Sequence, residues 1–292
     1  MTTKRKDIYF HASSFGNLMV EDYSTKITKA QLDRITELEK ERDEGVNANG
    51  NKVRWTDAKI EEYDKLVSKR DAPPKLSKTA EAEVEKVWRF HEKGFVDELN
   101  TKQVEKGTLQ EEDSIELLSD IDGVFYVKNV ERIKKNNISG ECDIEYDGRG
   151  YKLIIDVKSC WDARTFMNNG LSKMYEYQLR AYMYLYDAHE AELVYTLVDT
   201  PKHLIEKEKR QLFFKYKSDD MSEEELTELE MKLQPLYEII ERNHTYSQNK
   251  NYSKEERVKR YTITRNLDIE KEMLKRKELA LDYYEKISLN QK

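Results

Sequence analysis

The chain holds only two cysteines in 292 residues, Cys142 and Cys160. That is too few for a disulfide framework or for a four-cysteine zinc or iron–sulfur site. A reducing cytoplasm is the expected compartment. The five histidines show no metal-ligand spacing. No run approaches 18 uninterrupted apolar residues, so no membrane-spanning helix is expected. The opening MTTKRKDIYFHASSF is basic, but no apolar stretch follows it, and no secretory signal is expected. Internal repeats and low-complexity tails are absent from the sequence. Nor is there an excess of positive charge: the formal net charge is −7. This argues against a generally basic nucleic-acid-binding coat, so any nucleic-acid contact has to come from a local patch.

What is present is apolar and charged residues in nearly equal measure, 38% and 37%. The length suits one large domain or two modest ones, with a sizeable core. Leu32, Ile35 and Leu38 are spaced for a helix over 28–43, and Thr56 is placed to cap a second over 56–71. Together they predict a helical hairpin ending at Pro73-Pro74, a packing or partner-binding arm. A third helix is expected from about Thr79 to Lys93, with Val84, Val87, Trp88 and His91 on its apolar face and His91 at the edge of a core. The pattern then changes: a helix over 107–119, strands at 123–129, 140–146 and 151–159, a long helix over 170–187, and a strand at 191–199. That order predicts an α/β (α+β) unit with a mixed central sheet. Beyond Pro201 the chain reads as helical and highly charged, with one more strand at 260–265. The expected division is an N-terminal helical arm (1–100), an α/β core (101–200) and a mostly helical C-terminal region packing on the core (201–292).

The informative stretch is GECDIEYDGRGYKLIIDVKS, 140–159. Asp147-Gly148-Arg149-Gly150 reads as a hairpin turn. Its length sets Asp143 opposite Ile154 and Glu141 opposite Asp156. Side chains alternate along each strand and cross-strand partners share a face. Asp143, Asp156 and Lys158 then share one face, while Leu153, Ile155 and Val157 lie on the other with Cys142 and Ile144 beside them. Two carboxylates so close repel each other unless a cation lies between them, and such oxygen ligands suit Mg²⁺ or Mn²⁺. A metal there can activate water and clamp a phosphate oxygen, and Lys158 can position the attacking water or stabilise phosphate charge. The bland alternative is an exposed, charged hairpin face.

Asp143 followed by Asp156-Val157-Lys158 resembles the signature of the PD-(D/E)xK nuclease superfamily. Upstream, Gly107-Thr108-Leu109-Gln110-Glu111 is similar to the G-x-x-x-E helix of its lambda exonuclease and YqaJ/RecB-like branch, with Glu112 one register away from Glu111. Downstream, Gln178-Leu179-Arg180-Ala181-Tyr182 resembles the Q-x-x-x-Y motif, its two named residues on one helix face. The four motifs stand in the family's order over 106–199, about a third of the chain. The resemblance implies the αβββαβ nuclease core and a Mg²⁺- or Mn²⁺-dependent DNA exonuclease. Glu111, Asp143, Asp156 and the Val157 carbonyl would hold metal; Lys158 and Gln178 would complete the catalytic set, and Tyr182 would reach the DNA backbone. It further implies double-stranded DNA with a free end as substrate, a single-strand annealing partner, a homo-oligomeric ring, and phage recombination or end processing in a host cytoplasm. The iron–sulfur branch of the family is not expected, for want of cysteines.

Other readings stay open. Residues 202–217 carry Lys202, Lys207, Lys209, Arg210, Lys215 and Lys217 against Glu206 and Glu208, a local excess of positive charge interleaved with Phe213, Phe214 and Tyr216. They form either a DNA-tracking patch, with Lys209 and Arg210 as contacts, or an amphipathic helix with inward aromatics. Lys259, Arg260 and Arg265 make a weaker patch. Trp161 either wedges against a DNA end or closes the sheet, and Tyr175 and Tyr186 read as core or groove lining. The alternatives for function are an endonuclease of the same superfamily and an inactive DNA-binding or scaffold protein.

Overall fold

The computed structural model describes residues 4–22, 27–47, 49–96, 101–148 and 150–290. In chain order its elements are β1 (Phe10–His11), α1 (Phe15–Leu18), α2 (Lys29–Glu44), α3 (Asp57–Arg70), α4 (Lys78–Lys93), α5 (Lys102–Leu109) and α6 (Glu111–Asp122). Then come β2 (Ile133–Lys135), β3 (Ile138–Gly140), β4 (Ile144–Tyr146), β5 (Leu153–Ser159), α7 (Ala163–Asn168), α8 (Lys173–Tyr186) and β6 (Glu190–Thr196). The chain closes with α9 (Lys202–Tyr216), α10 (Glu223–His244), β7 (Val258–Thr264) and α11 (Leu267–Asn290). No helix among the described residues is long and apolar enough to cross a membrane.

The expected helical hairpin is α2 and α3. Thr28 opens α2 in a reciprocal capping box with Gln31. Thr56 stands at the N-cap of α3, but its side chain makes no capping bond. α4 packs on α11, and His91 on its edge lies against the Tyr284 ring.

β4, β5, β6 and β7 form one sheet in that order, with β5 and β6 parallel and both outer pairs antiparallel. This is the mixed sheet predicted. A second sheet, β1-β3-β2, is built partly from the N-terminus, and Ile8, Phe10, Phe15 and Leu18 share a core with α8 and α11. The strand expected at 123–129 does not form beyond one isolated bridge, Lys128 with Ile144. The Asn129 amide bonds the Asp143 carbonyl at 2.7 Å within that bridge, but the Tyr126 amide turns away to Ser119 Oγ at 3.1 Å. Phe125 is left 87% exposed. The strand expected at 140–146 divides between the sheets, β3 ending at Gly140 and β4 starting at Ile144. The helix expected at 107–119 is likewise two, α5 and α6, meeting at Gln110, whose backbone is not helical.

The β4–β5 register differs by two residues from the sequence expectation. Ile144 faces Ile155 and Tyr146 faces Leu153, and the same register continued one step sets Asp143 across from Asp156. A shift of two preserves the faces, so the acids remain on the predicted side. The turn assigned to 147–150 includes Arg149, which lies outside the described residues. Cys142 precedes β4 and escapes its alternation: it packs with Ile154 on the α8 side, not with Ile144.

At Gly140 a Cβ would lie 2.8 Å from Ala12 Cβ, 2.8 Å from Tyr182 Cε1 and 2.9 Å from Leu185 Cδ1. Ala12 has no rotamer through which to give way. Gly140→Ala is expected to cost about 1–3 kcal/mol of stability, read as a lower denaturant midpoint at unchanged slope. An unchanged midpoint would show that β3 can move off α8.

Candidate active site

β5 is buried on both sides. Leu153, Ile155 and Val157 pack with Ile115 and Leu118 of α6 and with Val194 of β6, while Ile154 joins the core beneath α8. The expectation of one apolar and one polar face is corrected accordingly: the acid face starts apolar and becomes polar only at Asp156. Asp156 is itself 0% exposed. An isolated carboxylate there would cost several kcal/mol, so its partners decide whether the strand is stable.

α8 supplies one of them. Gln178 Nε2 donates to Asp156 Oδ1 at 2.9 Å and lies 3.3 Å from the Tyr182 hydroxyl, one turn on. Lys158 supplies the other. Its Nζ forms a 2.6 Å ion pair with Asp156 Oδ2, the buried oxygen that Gln178 does not reach. Burial pulls the Lys158 ammonium toward neutrality, but Asp156 and Asp143 together outweigh it and hold the charge above its ordinary range. The same ammonium sits 5.8 Å from the centre of the Tyr175 ring.

Asp143 approaches from the turn before β4, and its Oδ2 accepts from the Val157 amide at 2.6 Å. Burial, and then the charge of Asp156, push its carboxyl from 3.8 up to about 7, against Lys158 and the Val157 amide. Val157 therefore meets the acid pair through its backbone, its side chain being packed on the opposite face.

Glu111 opens α6, half-buried, while Glu112 is exposed. Its carboxylate is paired with Lys128 at 3.2 Å, yet it is near enough to add to the upward push on Asp143. Lys128 escaped the sequence reading because it was placed in a strand; its position four residues before Arg132 in a basic run carried no sign of a link to Glu111.

The outlying candidates fare differently. Tyr182, expected to contact DNA, is only 4% exposed; its hydroxyl faces Gln178, and burial and Asp156 raise its pKa. Lys209 is paired with Glu206 at 2.9 Å and Glu241 at 2.5 Å, whereas Arg210 is exposed on the same helix. The aromatics of α9 do not all face inward: Phe214 is 60% and Tyr216 50% exposed. Lys259 donates to the Met167 and Asn169 carbonyls, Arg260 pairs with Asp122 and Glu192, and Arg265 with Asp187 and Glu270. Those three tie β7 to its neighbours. Trp161 is half-buried at the sheet's end, edge-on to His244 at 4.7 Å.

Among the described residues no three His, Cys, Asp or Glu side chains converge at metal-binding distance. The donor chemistry of the Asp143–Asp156 pair nevertheless fits a hard divalent cation: two buried carboxylates near enough that the charge of Asp156 raises the pKa of Asp143.

No family model and no curated relative matches the chain. Solved structures do. An alkaline exonuclease, LHK-Exo, from Laribacter hongkongensis aligns over 97% of this chain and 95% of its own at 9% identity, with a TM-score of 0.48. A phage related exonuclease from Haemophilus somnus 129PT aligns over 98% of this chain and 97% of its own at 22% identity, with a TM-score of 0.60. The chain thus has the fold of that phage-related exonuclease along nearly its whole length, and this is the mixed α/β fold its motifs predicted.

Proposed function

We propose that the protein is a divalent-metal-dependent deoxyribonuclease of the PD-(D/E)xK superfamily that degrades double-stranded DNA from a free end. The observation that carries this reading is the clustering of Asp143, Asp156, Lys158 and Gln178 at the end of β5, with Asp156 buried between Gln178 and the Lys158 ammonium. The fold shared with a phage related exonuclease supports it.

Asp143, Asp156 and the Val157 carbonyl would hold Mg²⁺ or Mn²⁺, with Glu111 joining from α6 in place of its ion pair with Lys128. Bound there, the metal would neutralise the acid pair and polarise the phosphodiester under attack. Gln178 fixes the orientation of Asp156 through its donated hydrogen bond, and Tyr182 backs Gln178. Lys158 is held charged between the two acids, where it stabilises negative charge that develops on the phosphate. Arg210 and the exposed Phe214 and Tyr216 on α9 offer a charge and stacking surfaces for the backbone and bases. Recombination or end processing, a single-strand annealing partner and a homo-oligomer complete the reading, as extensions of the family resemblance.

The test is digestion of end-labelled linear duplex beside a covalently closed circle, with Mg²⁺ or with EDTA. Loss of the linear DNA alone, and only with metal, is the expected result. Cutting of the circle would replace the exonuclease with an endonuclease. Binding without cleavage of either substrate would leave an inactive DNA-binding protein.

A further inference from the structure

The first turn of α6 presents three consecutive acids, Glu111, Glu112 and Asp113. Successive helical residues point about 100° apart, so the rotation of α6 about its own axis decides which acid faces Asp143 and Asp156. The buried stripe of Ile115, Leu117 and Leu118 turns α6 toward the sheet and sets its rotation to within part of a turn. Hydrogen bonds are directional, and α6 has a buried set of them.

Ser114 lies one turn beyond Glu111 and is 0% exposed. Its Oγ donates to the Gln110 carbonyl at 2.8 Å, lies 2.7 Å from Ser159 Oγ, and accepts from Thr196 Oγ1 at 2.8 Å. Ser159 Oγ also reaches the Gln110 carbonyl at 3.3 Å. One proton assignment satisfies the three short contacts: Thr196 and Ser159 each donate to Ser114 Oγ, and Ser114 donates to the Gln110 carbonyl. Ser159 and Thr196 are partners in the β5–β6 ladder, and Ser159 directly follows Lys158. Gln110 directly precedes Glu111. The hydroxyls therefore join the backbone beside one candidate ligand to the backbone beside the candidate catalytic lysine. A second tether lies one turn upstream, where buried Lys106 of α5 donates to the Trp161 and Val198 carbonyls at 3.1 and 3.0 Å.

The geometry points to Ser114, with Ser159 and Thr196, as a positioning element for the metal site. It locks the rotation of α6 so that Glu111, rather than Glu112 or Asp113, is the third carboxylate beside Asp143 and Asp156. This inference rests on the metal-dependent reading given above. Loss of partners that orient metal ligands typically weakens metal binding by about 10- to 100-fold, and that is the scale expected here.

The test is Mn²⁺ binding to the full-length protein without DNA, by isothermal titration and by the loss of free-Mn²⁺ signal in electron paramagnetic resonance. Ser114→Ala is expected to weaken Mn²⁺ binding about 10-fold or more, and Thr196→Val several-fold, while Thr196→Ser restores the hydroxyl and wild-type affinity. Glu111→Gln should weaken binding like Ser114→Ala, and Ser114→Ala should add nothing in the Glu111→Gln background. Glu112→Gln should bind as the wild type does. Wild-type affinity in both Ser114→Ala and Thr196→Val, with only a lower melting temperature, would overturn the inference, as would an undiminished Ser114→Ala effect in the Glu111→Gln background. If Ser114→Ala fails to fold, the Thr196 pair decides. Undiminished Mn²⁺ binding in Asp156→Ala would instead remove the metal site on which the inference rests.

Discussion

Asp156→Asn is expected to slow Mg²⁺-dependent digestion of linear duplex by about 10³-fold or more, a larger loss than any other single substitution at the site. The change is nearly isosteric, and Asn Oδ1 can still accept from Gln178 Nε2. What it removes is the charge and the oxygen, Oδ2, that pairs with Lys158. An amide nitrogen in that place would present a donor to the Lys158 ammonium, and Lys158 would then turn toward Asp143. Gln178→Ala should cost less, about 10- to 100-fold, because Gln178 acts only by orienting Asp156. The measurement is initial rates on end-labelled duplex at saturating Mg²⁺, beside DNA affinity in EDTA. DNA affinity should change little in either variant. More than a tenth of wild-type activity in Asp156→Asn, or a larger loss in Gln178→Ala, would reverse the roles given to these two residues.

The second large effect is on stability. Folding raises the Asp143 carboxyl from 3.8 to about 7, so between these pH values the native state binds a proton that the unfolded chain releases. The sign follows from linkage: where the native state holds more protons, stability falls as pH rises. The contribution of Asp143 to the stability of the metal-free protein should therefore fall from about pH 4 to about pH 7, against carboxylates such as Asp199 and Glu176 whose pKa is lowered. Asp143→Asn keeps an acceptor for the Val157 amide and has no charge to bury. It should melt above the wild type at pH 8 in EDTA, by about 3 °C or more, and close to it at pH 4. Millimolar Mg²⁺ should raise the wild-type melting temperature more at pH 8 than at pH 5, since protons and metal compete for the same carboxylate, and should do little for Asp143→Asn. Equal pH profiles in the two proteins, or a Mg²⁺ effect as large at pH 5 as at pH 8, would contradict the placement of Asp143 beside Asp156.

Much of this was legible along the chain because it depends on local period and order. The alternation of Leu153, Ile155 and Val157 against Asp156 and Lys158 follows from the strand repeat of two, whatever the strand packs against. Gln178 and Tyr182 share a helix face because they are four apart. The first helix of the N-terminal hairpin starts at a capping residue that the sequence itself supplies, Thr28. By itself, then, the sequence determined that β5 and α8 form at the site, which face of β5 carries its charges, and the order in which the candidate residues arrive.

Tertiary structure decided what those residues meet. The register of β4 on β5 moved by two residues, bringing Asp143 across from Asp156, because Asp143 bonds the Val157 amide and β4 begins only at Ile144. The extended stretch after α6 pairs with the chain at β4 only at the Lys128–Ile144 bridge, and the Tyr126 amide bonds Ser119 Oγ instead of a strand. Glu111 found Lys128, and Lys209 found Glu241 on the neighbouring helix. Lys259, Arg260 and Arg265, basic in the sequence, became ties that hold β7 in place. Periodicity reports which side of an element a residue occupies, but a charge's role depends on a partner far away in the chain. Only packing brings that partner within hydrogen-bonding distance, and with it the choice between a charge that is neutralised and one left available for chemistry.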